Sequence, residues 1–348
     1  MKMLFILLPI IIISSKISIA QVKEYTEAPP PVAFEKENAV ISLGKIAADP
    51  TLYSIGSPSN EEQLMLEFIN RARANPKAEG TFLKNTTIAN ITAAYTYFNV
   101  DLEKMEKEFD LMEPAPPLSF DAKLISSARA HSNDMCNNAF QSHTSSNGDD
   151  LVKRIEDQGY SWQGAAENIY AYAKDIFFAH AAFEVDWGSG TSDGMQQGRG
   201  HRTNTHNSAY RDVGIGYIAC NNSGVGPFVV TIDFGSKRTG FLPYITGVVY
   251  DEKNGNNFYD IGEGQGNIKV DVVGSSYYAV TSSSGGYSVP VPGKGTYTVK
   301  FSGSANGSSF TCEYAITLES SENYKLDYQI NKGVAIANEK YSIVRDAY

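Results

Sequence analysis

The sequence predicts an α+β domain followed by an all-β sandwich, and three observations predict it. Apolar residues recur at helical spacing in successive stretches up to Tyr210. The period then drops to two in "DVGIGYIAC" and "PFVVTIDFG", as in antiparallel strands. From Tyr244 onward, short alternating segments are separated by Gly, Ser, Asn and Pro turns, the texture of a β-sandwich. At 348 residues the chain is too long for one small core, and its 42% apolar content suits globular domains.

Residues 1–20, "MKMLFILLPIIIISSKISIA", read as a secretory signal peptide. Lys2 is the basic start, Leu4 to Ile13 the apolar run, and Ser18-Ile19-Ala20 the cleavage site. The run is short for a membrane span, and Lys16 interrupts the residues after it. A secreted protein is expected, extracellular or periplasmic, with no membrane span. The formal charge of −10 argues against nucleic acid and anionic lipid as partners. Three cysteines do not make a disulfide-stapled scaffold. One bond is possible. Cys136–Cys220 is the first choice because both lie in the first domain, with Cys312 left as a buried thiol; spacing leaves the pairing open.

Residues 21–58, with "EAPPPVAFEKE" and "AADPTLYSIGSPSN", carry no periodicity and read as a linker. The first domain, 59–240, opens on a capping box, Ser59 with Glu62. Leu64, Met65, Phe68, Ile69 and Ala72 form one stripe, which Asn75-Pro76 stops. Residues 81–113 fit one helix, two helices or an inserted hairpin. A helix over 121–138 places Leu124, Ala128, His131 and Met135 on one face, and "DDLVKRIEDQG" is a short helix stopped at Gly159. The lone carboxylate of "AENIYAY", Glu167, stands between a Gly-bearing turn and a helix-like apolar run. A helix in "KDIFFAHAAFEVDWG", a Gly-rich loop over 188–200, "GHRTNTHNSAY" and the two strands complete the domain. The sandwich occupies 241–333, and 334–348 is a tail.

The ordered pieces "LMLEFINRARANP", "LSFDAKLISSARAHSNDM", "FQSHTSSNG", "AENIYA", "GHRTN" and "DVGIGYI…VVTIDFG" make the first domain similar to the CAP superfamily (cysteine-rich secretory proteins, antigen 5 and pathogenesis-related 1 proteins), in its bacterial branch. The resemblance implies an α/β/α sandwich with an open cleft where two histidines and two acids converge. It matches His143 and His201 to the histidines and Glu167 to the acid of a G-E-N motif, with Ala166 in place of the usual Gly. Asp186, three residues after Phe183, is matched to the second acid, with Glu184 as its rival.

The chemistry of such a set is readable from the residues themselves. Neutral imidazoles ligate divalent metals such as Zn²⁺, and carboxylates orient them or complete the site. His131 reads as a satisfied core residue, His180 and His206 as packing or surface residues, and Trp162 and Trp187 as core or cleft wall. No H-E-x-x-H occurs in the sequence, and no G-x-S-x-G nucleophile elbow is read in it, since the one match, Gly190 to Gly194, lies within the Gly-rich loop over 188–200. The first expectation is therefore a cleft that binds a divalent metal or a small-molecule, lipid or peptide ligand. A metal-assisted hydrolase directed at peptide or cell wall is the alternative, with Glu167 and Asp186 as its catalytic candidates. A purely structural or adhesive surface protein, with an extracellular protein or cell-wall partner, is the third class.

In the second domain, "EKNGNNFYDIGE" places Glu252, Asn254, Asn256, Asp260 and Glu263 at positions 1, 3, 5, 9 and 12, with the Phe258 carbonyl at 7. This is the ligand spacing of an EF-hand loop, whose hard oxygens suit Ca²⁺. Glu replaces Asp at position 1, and Asn257 replaces the Gly at position 6. The domain resembles carboxypeptidase regulatory-like and adhesin B-repeat modules, which implies a small Ig-like or transthyretin-like sandwich.

Overall fold

A computed structural model describes residues 49–305 and 307–337. The segment expected to be a signal peptide, residues 21–48 and the end of the tail lie outside the described residues. Helix α1 (Asn60–Ala74) begins at Ser59, whose side chain and that of Glu62 form the reciprocal capping box, and Pro76 opens the next helix. The segment whose sequence fits several arrangements folds within three helices, α2 (Pro76–Lys84), α3 (Ala89–Phe98) and α4 (Leu102–Asp110). Asn99, in the left-handed conformation, ends α3, and Asp101 caps α4 two residues later.

A four-stranded sheet forms the middle layer of the first domain. It contains β2 (Ser119–Phe120), β3 (Trp162–Ala173), β4 (Asp212–Ala219) and β5 (Phe228–Lys237), in the order β2-β4-β5-β3. Helices α5 (Ala122–Asn138) and α6 (Leu151–Asp157) cover one face, while α1, α7 (Ile176–Val185) and α8 (Gly200–His206) cover the other. This is an α/β/α sandwich. The helix-like run around Glu167 is strand β3. Helices bury both faces of that strand, so its alternation is lost and its apolar content misleads. Helix α5 lies directly on β4 because Gly214 and Gly216 leave room for it. A Cβ at Gly214 would sit 2.0 Å from the Leu124 carbonyl carbon.

The second domain packs two sheets. One has the order β1 (Thr51–Leu52), β8 (Tyr277–Val280), β7 (Lys269–Val272), β10 (Gly295–Ala305), β11 (Ser308–Leu318). The other runs β13 (Val334–Ala337), β12 (Tyr324–Gln329), β6 (Tyr244–Tyr250), β9 (Gly286–Pro290). Val249, Val270, Tyr287, Val299, Phe301 and Tyr328 fill the space between them. Two expected boundaries move. Thr51-Leu52 pairs with β8, so the end of the 21–58 linker belongs to the sandwich. Strand β13 pairs with β12 inside the segment read as tail. A two-residue strand and a four-residue strand are too short to show a period.

The two domains share a core. Val248, Tyr250 and Tyr259 belong to the same apolar cluster as Phe68 and Ile69 of α1. Cys136 and Cys220 form a disulfide, tying the end of α5 to the end of β4, and Cys312 on β11 is a half-buried free thiol. Closing a loop of 84 residues is worth about 4–5 kcal/mol in the chain-entropy account.

Candidate functional site

Two histidine–carboxylate pairs gather at β3, the outer strand of the first domain's sheet. His143, in the loop between α5 and α6, has Nδ1 2.7 Å from Glu167 Oε1. His201, near the start of α8, has Nδ1 2.7 Å from Asp186 Oδ1, and its backbone N–H donates to Asp186 Oδ2 at 3.0 Å. Asp186 ends α7 in the left-handed conformation, φ 57°, which turns its carboxylate toward α8. Glu184, its rival from the sequence, lies elsewhere and meets His206 Nε2 at 2.8 Å.

Glu167 and Asn168 are neighbours on a strand and so point to opposite faces. Glu167 meets the α5 and α6 side. Asn168 turns to α8, where its amide donates to the His201 carbonyl at 3.0 Å. Asn204 then bonds Asn168 Oδ1 at 3.0 Å and the Glu167 carbonyl at 3.3 Å, so two amides knit the pairs together across the strand.

The electrostatics centre on Glu167. Burial alone would raise its pKa, but the hydrogen bond with His143 and the charges of Arg154 and His131 hold it at about 2. Arg154 of α6 pairs with Glu167 Oε2 and also donates to the carbonyls of His143 (2.9 Å) and Asp149 (3.1 Å). One guanidinium thus fixes both the acid and the loop that carries the histidine. His131 Nε2 stands 3.9 Å from Glu167 Oε2, and burial lowers its pKa against the pull of that carboxylate. Asp233, opposite Glu167 on β5, has its pKa pushed well above the usual carboxylate value by burial and by the Glu167 charge.

The site is more enclosed than an open cleft. Glu167, Asp186 and His201 are at most 1% exposed, and the His143 side chain is the open member at 16%. Among the described residues, no group of three or more His, Cys, Asp or Glu side chains is placed to hold a metal ion. The oxygens of Glu167 are taken by His143 and Arg154, and those of Asp186 by the ring and backbone of His201. Both acids therefore orient imidazoles. His143 Nε2 has no hydrogen-bond partner among the described residues.

Residues 66–234 match the cysteine-rich secretory protein family, CAP. The chain carries a CAP domain. All four site residues fall within it. A solved structure with some likeness is the 1.5 Å crystal structure of an extracellular protein containing a SCP domain from Bacillus anthracis str. Ames. It is 23% identical over 42% of this chain and 40% of that one, with a TM-score of 0.28. No curated protein matches the chain.

Within the CAP domain the other histidines are structural. His180 bonds Glu79 at 2.9 Å and His206 bonds Glu184, all four being buried. Trp187 is core, and Trp162 is half-buried at the start of β3. Sequence reasoning missed Arg154 and Asp233. Asp233 left a signal, an acid inside the apolar strand "FVVTIDFG"; Arg154 left none, since a basic residue on a short amphipathic helix is commonplace.

The loop 252–263 forms a closed ring. Glu252 Oε1 accepts the N–H groups of Asn254 (3.0 Å) and Gly255 (2.5 Å). Glu263 accepts those of Lys253 (2.8 Å) and Asp260 (3.0 Å), while Asp260 Oδ2 faces the amides of Asn254 (2.6 Å) and Asn256 (2.7 Å). Asn257, φ 58°, takes the left-handed turn that position 6 demands. Lys332 places an ammonium 2.7 Å from Glu252 Oε2. Phe258 extends the loop into the domain interface, with Arg71 5.2 Å from its ring centroid.

Proposed function

We propose that the CAP domain is an extracellular binding module in which His143 and His201 bind a divalent metal such as Zn²⁺, or a small ligand, at the edge of β3. The observation that carries this reading is the matched pairing of each imidazole, through Nδ1, with its own buried carboxylate. Such pairing fixes the tautomer and the ring orientation, and it raises the basicity of the other ring nitrogen. The donor chemistry fits a divalent metal held by two imidazoles, with water or ligand at the remaining positions. Bound there, the metal would supply Lewis acidity. The protein's own part is orientation: Glu167 and Asp186 aim the rings, and Arg154 holds the His143 loop.

The oxygen-rich ring of 252–263 takes Ca²⁺ and stiffens the β-sandwich, which acts as an extracellular interaction domain. The donor set supports this reading, with two Glu, one Asp and two Asn side chains on one twelve-residue turn. Residues 1–20 support export. No helix among the described residues is long and apolar enough to cross a membrane.

Nitrogen-detected NMR of the imidazoles tests the metal reading. Zinc should move the Nε2 resonances of His143 and His201 and leave those of His180 and His206 in place. Equal shifts at all histidines, or none at His143, would remove it.

A further inference from the structure

A second, unrelated site opens at the beginning of β3, five residues before Glu167. There a cavity of about 280 Å³ is lined by Glu156, Gly159, Tyr160, Ser161, Trp162 and Arg238. Its size is at the small end of ligand pockets. Arg238 is anchored on the wall: its backbone N–H donates to the Ser161 carbonyl at 3.0 Å and its Nε to the Trp162 carbonyl at 3.2 Å. Its guanidinium carbon lies 5.9 Å from the Trp162 ring centroid. Trp162 Nε1 in turn donates to Glu156 Oε1 at 2.9 Å.

Arg238 and Glu156 therefore line one small cavity with opposite charges, each tethered through Trp162. They form no ion pair with each other among the described residues. The terminal nitrogens of Arg238 and the second oxygen of Glu156 likewise have no partner there. A guanidinium fork matches a carboxylate in two-point contact, and a carboxylate accepts from an ammonium. The half-buried indole supplies an apolar wall for the rest of a ligand.

We propose that this cavity binds a small zwitterion of the α-amino-acid type, its carboxylate on Arg238, its ammonium on Glu156 and its side chain along Trp162. This assignment does not depend on the His143–His201 site.

Tryptophan fluorescence of the full secreted chain tests it with L-leucine as the probe. Of the two tryptophans, Trp187 is fully buried, so a ligand response arises from Trp162, and Trp162→Phe should remove it. Leucine should give a saturable change with a Kd on the order of 1 mM. Leucinamide, which lacks the carboxylate, and N-acetylleucine, which lacks the ammonium, should each bind at least about tenfold more weakly. Arg238→Gln and Glu156→Gln, both changes at the protein surface, should weaken leucine to the same extent. A response that does not saturate, or one unchanged in both variants, would overturn the site. N-acetylleucine binding as tightly as leucine would overturn the zwitterion assignment.

Discussion

Lys325 of the β-sandwich reaches Glu67 of α1 across the domain boundary, with 2.7 Å between ammonium and carboxylate and both side chains 2% exposed. Asp327 also pairs with Lys325, so one buried cation serves two carboxylates. Close by, Phe258 of the oxygen-rich loop stacks on Phe68 of α1, ring centroids 5.7 Å apart. The Ser119 and Ser288 hydroxyls meet at 2.7 Å, again across the boundary. The two domains are thus one packed body. Lys325→Met leaves two carboxylates buried together without their cation, and should cost about 3–5 kcal/mol in urea unfolding. A loss below about 1 kcal/mol would mean that the pairing is incidental to docking.

The same cluster sets a pH dependence of unusual sign. Burial raises the Glu67 carboxyl to about 7, with Lys325 pulling it down and Asp327 pushing it up. A raised acid takes up a proton on folding, so its contribution falls as pH rises from about 4.5 to 7, by on the order of 3 kcal/mol. Glu167 and Glu79 run the other way. Arg71 and His180 outweigh burial at Glu79 and hold it at about 2. The stability these two depressed acids bring is present above 4.5 and is lost as pH falls toward 2. Stability should therefore peak near pH 4.5 and decline from there toward pH 7. Unfolding measured at a series of pH values should show that peak, and Glu67→Gln should flatten its alkaline side.

Gly214→Ala should be among the most damaging substitutions in the chain. Its new methyl group would meet the α5 backbone at Leu124, which cannot move without lifting the helix from the sheet. A loss of about 3 kcal/mol or more is expected. Thermal unfolding checks it, and Ser126→Ala, at an exposed position of α5, is the mild control.

Calcium should stabilise the whole body, because Phe258 and Tyr259 of the loop pack on the CAP domain. At a free concentration one hundred times its Kd, Ca²⁺ should add about 2.7 kcal/mol. Scanning calorimetry with and without Ca²⁺ measures this, and Glu263→Gln should abolish it. Magnesium giving the same shift would point to general ionic screening.

Much of the fold is legible in the chain. The Ser59–Glu62 box, the α5 stripe and the alternating strands of the sandwich all announce themselves, because each is a local pattern on a half-buried element. His143, Glu167, Asp186 and His201 are legible as individual residues through the ordered CAP-like pieces. Their partners are a different matter. That Asp186 rather than Glu184 faces His201 depends on one left-handed residue at the end of α7. Arg154 and Asp233 reach Glu167 only through the packing of α6 and β5 around β3. The docking of the two domains is invisible for the same reason: Glu67 and Lys325 are 258 positions apart, and neither carries any mark of its partner.

The most direct test of the central claim is calorimetric titration of zinc into metal-stripped residues 21–348, beside the His143→Ala/His201→Ala double variant, with Ca²⁺ saturating throughout. The pairing of each histidine with its own carboxylate predicts one site with a Kd of about 1 μM or tighter in the native chain, and its loss in the variant. Equal heats from both proteins would contradict a metal-binding role for these histidines.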